Sequence, residues 1–272
     1  MTSRDSERGL ALVVVLWGIA ALSLIAAAML AASLGSARIG HNAWAQVQVQ
    51  TAADAGVQGA ILSLFNPGPD GRPRLDGGES AMRFGDTTVS VSIQDESGRI
   101  DINYASRGLL RDYFRAVGAA ADEADRLAGR VVDWRSPKGA ANFTAASAAD
   151  YERAGYSYRP RGAPFQSVDE LQLVLGMTPG LFERAAPGLT VYSHHANFDT
   201  RTAPKKVLEV IPGIDESRAD QTIATRPPAI ALPGHAFTIV ATATSGPTRF
   251  SRRAVVLLSG DPAHPFWILD WR

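Results

Sequence analysis

Cysteine is missing from all 272 residues, so disulfide scaffolding, thiolate metal sites and cysteine nucleophiles are excluded together. Charge bias is missing too. With 27 basic and 27 acidic side chains, no bulk field attracts nucleic acid or a cationic partner. The five histidines, His41, His194, His195, His235 and His264, never fall into HxxxH or HExxH. His194 and His195 are adjacent, so along a strand they point to opposite sides and do not grip one metal locally. No GxSxG elbow occurs, and the glycine-rich GPDGRP lacks the lysine and hydroxyl of a phosphate loop. Sequence patterns therefore argue against an enzyme. Two further absences lie near the N-terminus: no charge between Arg8 and Arg38, and no proline before Pro67.

Those two gaps frame a long helix. Leu10 to Leu34 is almost wholly apolar, and as a helix it reaches about 37 Å, enough to cross a hydrocarbon core of about 30 Å. Ala31, Ala32 and Ser33 would also suit a signal-peptide cleavage site, so a removable signal stays open beside a retained anchor. Favouring retention, apolar residues continue past Arg38 at helical spacing: Ile39, Ala43, Trp44, Val47, Ala53, Val57, Ala60, Ile61 and Leu64. This face, Trp44 and Val57 included, is expected to pack on a following domain, with the helix ending at the polar break NPGPDGRPRLDGGES, Asn66 to Ser80.

Beyond the break, Val89, Val91 and Ile93 alternate with polar residues, as do Ile100 and Ile102, predicting a hairpin that turns at Glu96 to Gly98. Strand patterns return only at Ala236 to Thr244, Arg252 to Leu258 and Phe266 to Trp271. Helical patterns fill the interval, around Leu109 to Phe114, Ala120 to Trp134, Leu171 and Val207. The fold class read from this is α+β: a long N-terminal helix on a small antiparallel sheet, with a large α-helical insertion. The expected boundaries are a leader at 1–9, the helix at 10–64 with its span at 10–34, the first part of the sheet domain at 65–104, the insertion at 105–228 and the closing strands at 229–272.

The insertion holds a weak repeat: Leu171, Val174, Gly176 and Met177 match Leu208, Ile211, Gly213 and Ile214 at an offset of 37 residues. The second copy, VLEVIPGIDESRADQ, is similar to a helix-hairpin-helix, in which a glycine turn can offer amides to a nucleic-acid phosphate. Gly213, Lys205 and Lys206 are the candidate contacts. Glu209, Asp215, Glu216 and Asp220 oppose Lys205, Lys206 and Arg218, so the hairpin reads first as a packing device, and no nucleic acid is expected.

Arg8, Gly9 and the following LALVVVLW resemble the type IV pilin class of signal. The resemblance implies a cut by prepilin peptidase between Gly9 and Leu10, with Leu10 becoming an N-methylated terminus. It also implies glutamate at the fifth mature position, where this sequence has Val14; Val14 alone fits an ordinary anchor equally. Within that class, absence of the glutamate is similar to the minor pseudopilin K family of type II secretion, as are GRIDIN, GRVVDW, Phe165 to Ser193 and Phe198 to Gly213. Membership would imply a non-enzymatic inner-membrane protein with a periplasmic domain, capping the pseudopilus tip and helping to initiate its assembly for export across the outer membrane. Its implied partners are minor pseudopilins I and J, then H and the major pseudopilin. The family's helical domain also binds calcium, making Ca2+ the one candidate ligand, with Asp133 and Asp199 as candidate carboxylates; the DW pair is followed here by RSPKG in place of further aspartates. The rival readings are a membrane-anchored DNA uptake receptor and a generic signal-anchored periplasmic binding protein.

Overall fold

The computed structural model describes residues 4–66, 72–85, 87–137 and 148–272. The start of the leader, the middle of the Asn66 to Ser80 break and the end of RSPKG lie outside them. Helix α1 runs unbroken from Arg4 to Phe65, 62 residues, or about 93 Å. Absence of proline lets the hydrogen-bond ladder continue from the apolar half into the amphipathic half.

The outer half of α1 lies across an antiparallel sheet of order β1-β2-β5-β6-β7. Its strands are β1 (Asp76–Phe84), β2 (Thr87–Asp95), β5 (Ala236–Ser245), β6 (Thr248–Leu258) and β7 (Phe266–Trp271). Val49, Ala53, Val57, Ala60, Ile61 and Leu64 of the helix share one hydrophobic core with Val89, Val91, Ile93, Ile239, Ala241 and Val256. Alternate residues of β2 and β5 face this core because side chains along a strand alternate between faces.

Three expectations need correction. Trp44, Val47 and Ala43 are exposed, because the helix projects beyond the sheet there and none of the described residues covers it; burial along this half begins at Val49. The expected hairpin from β2 to Ile100–Ile102 does not form. Instead β2 pairs with β1 on one side and β5 on the other, while Ile100–Asp101 is a short strand β3 in parallel register with β4 (Leu189–Thr190). The Asp95 carboxylate accepts from Ser97 N and caps a 3-10 turn at Glu96–Gly98, diverting the chain away from the sheet. Finally, the polar break ends early: DGGESAMRF forms edge strand β1. Its glycines and charges hide the strand signal, and an edge tolerates them because only one side must pair.

The chain leaves the sheet after Asp95 and returns at Ala236, and between them lies a second core. Helix α2 (Arg107–Ala116) is capped by Ser106 and buries Leu110, Tyr113 and Phe114. Helix α3 (Ala121–Arg135) buries Ala124, Leu127, Ala128, Val131 and Trp134, the i, i+3, i+4, i+7 stripe of an amphipathic helix. Short helices α4 (Ala148–Arg153), α5 (Pro179–Ala185), α6 (Lys205–Leu208) and α7 (Glu216–Thr225) complete this half. The Asp95 amide bonds Leu75 O, and Leu64 shares a small cavity with Leu75 and Ala229. The insertion thus springs from the end of the sheet beside the last turn of α1, opposite the apolar span.

Candidate assembly surface and interdomain junction

Helix α1 presents two faces. Leu12–Met29 has a mean hydropathy of 2.5 and no buried residue, sufficient by length and composition to cross a membrane. Gly9 and Leu10 lie within the helical backbone, and Val14 is 63% exposed on the span. Beyond the span, Trp44, Val47, Thr51, Gln58, Leu62 and Phe65 are exposed at three-, four- and seven-residue steps, opposite the sheet. Trp44 is 70% and Leu62 65% exposed. The Phe65 ring lies 6.3 Å from Phe266, which leads to Trp267, Ile268, Leu269 and Trp271 on edge strand β7, which pairs with β6 on its inner side. Sequence reading marked these β7 residues as strand but missed their exposure, which depends on α1 lying over β2, β5 and β6. Large apolar patches of this kind mark interaction surfaces.

The junction between the two halves is polar and tightly wired. Gln94 Nε2 donates 2.8 Å bonds to Asp95 O and Thr202 O. Buried Asp95 holds Ser97 N through one oxygen and His235 Nδ1 through the other, at 2.8 and 3.0 Å. The Asp95 hydrogen bond raises the His235 pKa above its ordinary 6.5, with burial opposing and the charges of Asp95 and Asp199 assisting. None of Gln94, Asp95 and His235 stands out in sequence, because the contact joins residues 140 positions apart.

GRIDIN proves to be a wiring segment. Arg99 pairs with buried Glu96 at 2.9 Å, Ile100 and Ile102 enter the second core, and Asn103 exchanges two hydrogen bonds with the Phe165 backbone. Asp101 accepts from Asn103 N and His194 N, both 2.8 Å, and burial raises its pKa against those bonds. In GRVVDW, Arg130 donates to Leu175 O and Trp134 stacks on Phe165 at 6.0 Å.

The candidate carboxylates differ in setting. Asp133 is buried on α3 and is engaged by a partner, whereas Asp199 is gripped by the Arg201 guanidinium at 2.7 Å, which lowers its pKa. Among the described residues no three His, Asp or Glu side chains gather as a metal site.

The 37-residue repeat extends into three dimensions. Val174 N bonds Leu171 O and Met177 N bonds Val174 O; Ile211 N to Leu208 O and Ile214 N to Ile211 O repeat the pattern. Gly176 and Gly213 have φ of 92° and 84°, a conformation that favours glycine. Thr178 then caps α5 and Asp215 caps α7. The second hairpin is electrostatically closed: Lys205 binds Asp220 at 2.8 Å and Glu216 at 3.0 Å, and Lys206 binds Glu209 at 2.9 Å. Both candidate phosphate lysines are thus held by acids of their own hairpin.

Comparison with known proteins agrees with this architecture. Residues 92–194 match the family model described as type II secretion system (T2SS), protein K. The fold is similar to a chain in the crystal structure of the GspK–GspI–GspJ complex from the enterotoxigenic Escherichia coli type 2 secretion system, with a TM-score of 0.59 and 14% identity, over 87% of this chain and 98% of that one. No curated protein matches the sequence. The family match runs from the end of β2 into the insertion, and the likeness to the solved chain is one of fold; both point to the same kind of protein, to which this chain is similar.

Proposed function

We propose that this chain is a minor pseudopilin that caps the tip of the type II secretion pseudopilus and helps to initiate its assembly. In this reading Met1 to Gly9 is a leader removed by prepilin peptidase, Leu10 is the methylated mature terminus, and residues 10–34 anchor the protein in the inner membrane with the remainder in the periplasm. The neighbour in fold was solved in complex with GspI and GspJ, so the corresponding partners here are minor pseudopilins I and J, followed by H and the major pseudopilin. The function is assembly and not turnover.

One observation carries the tip position: the insertion leaves the sheet beside the last turn of α1, away from the apolar span. A subunit so built can be joined along its helix from below while its bulk faces away from the membrane. Val14 is consistent with this, since a carboxylate inside lipid needs a partner charge and a tip subunit has no neighbour above to supply one. Small residues of the span, such as Gly18, Ala21, Ser23 and Ala28, permit close approach of partner helices.

Mass spectrometry of the mature N-terminus, from cells with and without prepilin peptidase, tests the class. A peptidase-dependent methylated Leu10 is expected. An intact leader, or a terminus near Ala32, would sink the proposal.

A further inference from the structure

A cavity of about 220 Å3 opens where the strand entering the sheet meets the chain leaving the insertion. Arg72, Arg74 and Asp76 line it from the sheet side, Arg201 and Arg226 from the insertion side. Its charges are not balanced. Arg74 donates from Nε and Nη2 to the two oxygens of Asp76, at 3.1 and 2.8 Å, and Arg201 is committed to Asp199. Arg72 forms no ion pair among the described residues, and the only acid paired with Arg226 there is the already occupied Asp76, at 3.8 Å. Four guanidinium groups line the cavity against the single carboxylate of Asp76, with Asp199 and Asp95 reaching Arg201 from outside the lining, so positive charge is in excess at the cavity wall.

Arg226 makes the imbalance costly. Its side chain is only 8% exposed, its terminal nitrogens donate to Arg201 O and Ala203 O, and its buried Nε has no acceptor among the described residues. Burial of a charge whose nearest carboxylate is shared with a second arginine is unfavourable, and here burial lowers the arginine's pKa against the opposing charges of Asp76 and Asp199. Carbonyl oxygens orient the guanidinium without neutralising it. An oxyanion supplies both charge and acceptors in the planar geometry that arginine matches.

We propose that this cavity is a binding site for a small doubly charged oxyanion of the phosphate or sulfate class, which ties Arg72 and Arg74 of the sheet side to Arg201 and Arg226 of the insertion. The anion comes from solution. Met29 and Leu64 are 35 residues apart on one helix, so a lipid phosphate beside the span lies about 50 Å from the cavity.

Isothermal titration calorimetry of the full chain in neutral detergent, with inorganic phosphate and with chloride at equal ionic strength, provides the test. One saturable phosphate site per chain is expected, with no matching chloride isotherm. Arg72→Gln should weaken phosphate binding about tenfold, the loss of one charge-assisted contact, while leaving Tm in chloride unchanged. Arg226→Lys keeps the charge but loses the fork, and should weaken binding as well. Arg159→Gln, outside the cavity, should bind as the parent does. Chloride heats equal to phosphate heats, unchanged affinity in Arg72→Gln, or equal weakening in Arg159→Gln would each overturn the proposal. Should Arg226→Lys fail to fold, Arg72→Gln decides the matter alone.

Discussion

Asp95 spends both carboxylate oxygens at the point where the sheet ends and the insertion begins, and His235 answers it from across the junction. Because the folded pKa of His235 is raised, its protonation stabilises the fold fully below its ordinary 6.5, and this contribution is lost as pH rises through the folded value. His235→Gln should therefore lower Tm most at about pH 6 and progressively less toward about pH 9. A deficit that grows with pH would contradict this assignment. Gly98 belongs to the same junction: a Cβ there would collide with the Thr202 backbone carbonyl. Gly98→Ala should cost about 1–3 kcal/mol of stability, read from denaturant unfolding of the full chain in detergent. An unaffected midpoint would mean that the two segments separate freely.

Helix α1 divides by environment more than by composition. Val57 is fully buried against the sheet, while Trp44 is exposed although both fall on apolar positions of one periodic pattern. Val57→Ala should destabilise the fold by about 1–3 kcal/mol, and Trp44→Ala by less than about 0.5 kcal/mol, measured by urea unfolding. Equal losses would place Trp44 against a surface that the described residues do not contain. Periodicity identified the helix and most of its buried stripe, Ala53 to Leu64, but it could not say where the sheet stops. Only β1, β2, β5, β6 and β7 in their final order decide which residues are covered. The paired hairpins show the reverse case. Their 37-residue offset was readable from Leu171 to Met177 and Leu208 to Ile214, and the backbone bonds repeat at the same interval.

For the whole molecule, stability and assembly should separate. Leu62→Asp on the exposed stripe and Trp267→Asp on β7 leave both cores intact. Both variants should keep the parental Tm yet reduce co-purification of tagged full chain with the minor pseudopilins I and J proposed above as its partners. Parental recovery of both partners would remove α1 and β7 from the interface. Gly9→Ala should leave the leader attached, visible as unprocessed protein by mass spectrometry; a normal mature mass would reject the assigned cleavage position.

Composition and periodicity by themselves determined the absence of cysteine chemistry, the membrane-length helix, the α+β class and the presence of a helical insertion. These depend on short-range repeats of 3.6 and 2 residues, which survive in a linear string. Strand β1 escaped because an edge strand needs no apolar alternation, and the expected hairpin failed because the Asp95 cap sends the chain elsewhere. The acids opposing Lys205 and Lys206 were legible as neighbours in sequence, whereas the Asp95–His235 junction and the arginine-lined cavity were decided only in three dimensions. Both depend on charged groups from distant segments meeting at a defined distance, and Coulomb energy follows separation in space and not in sequence.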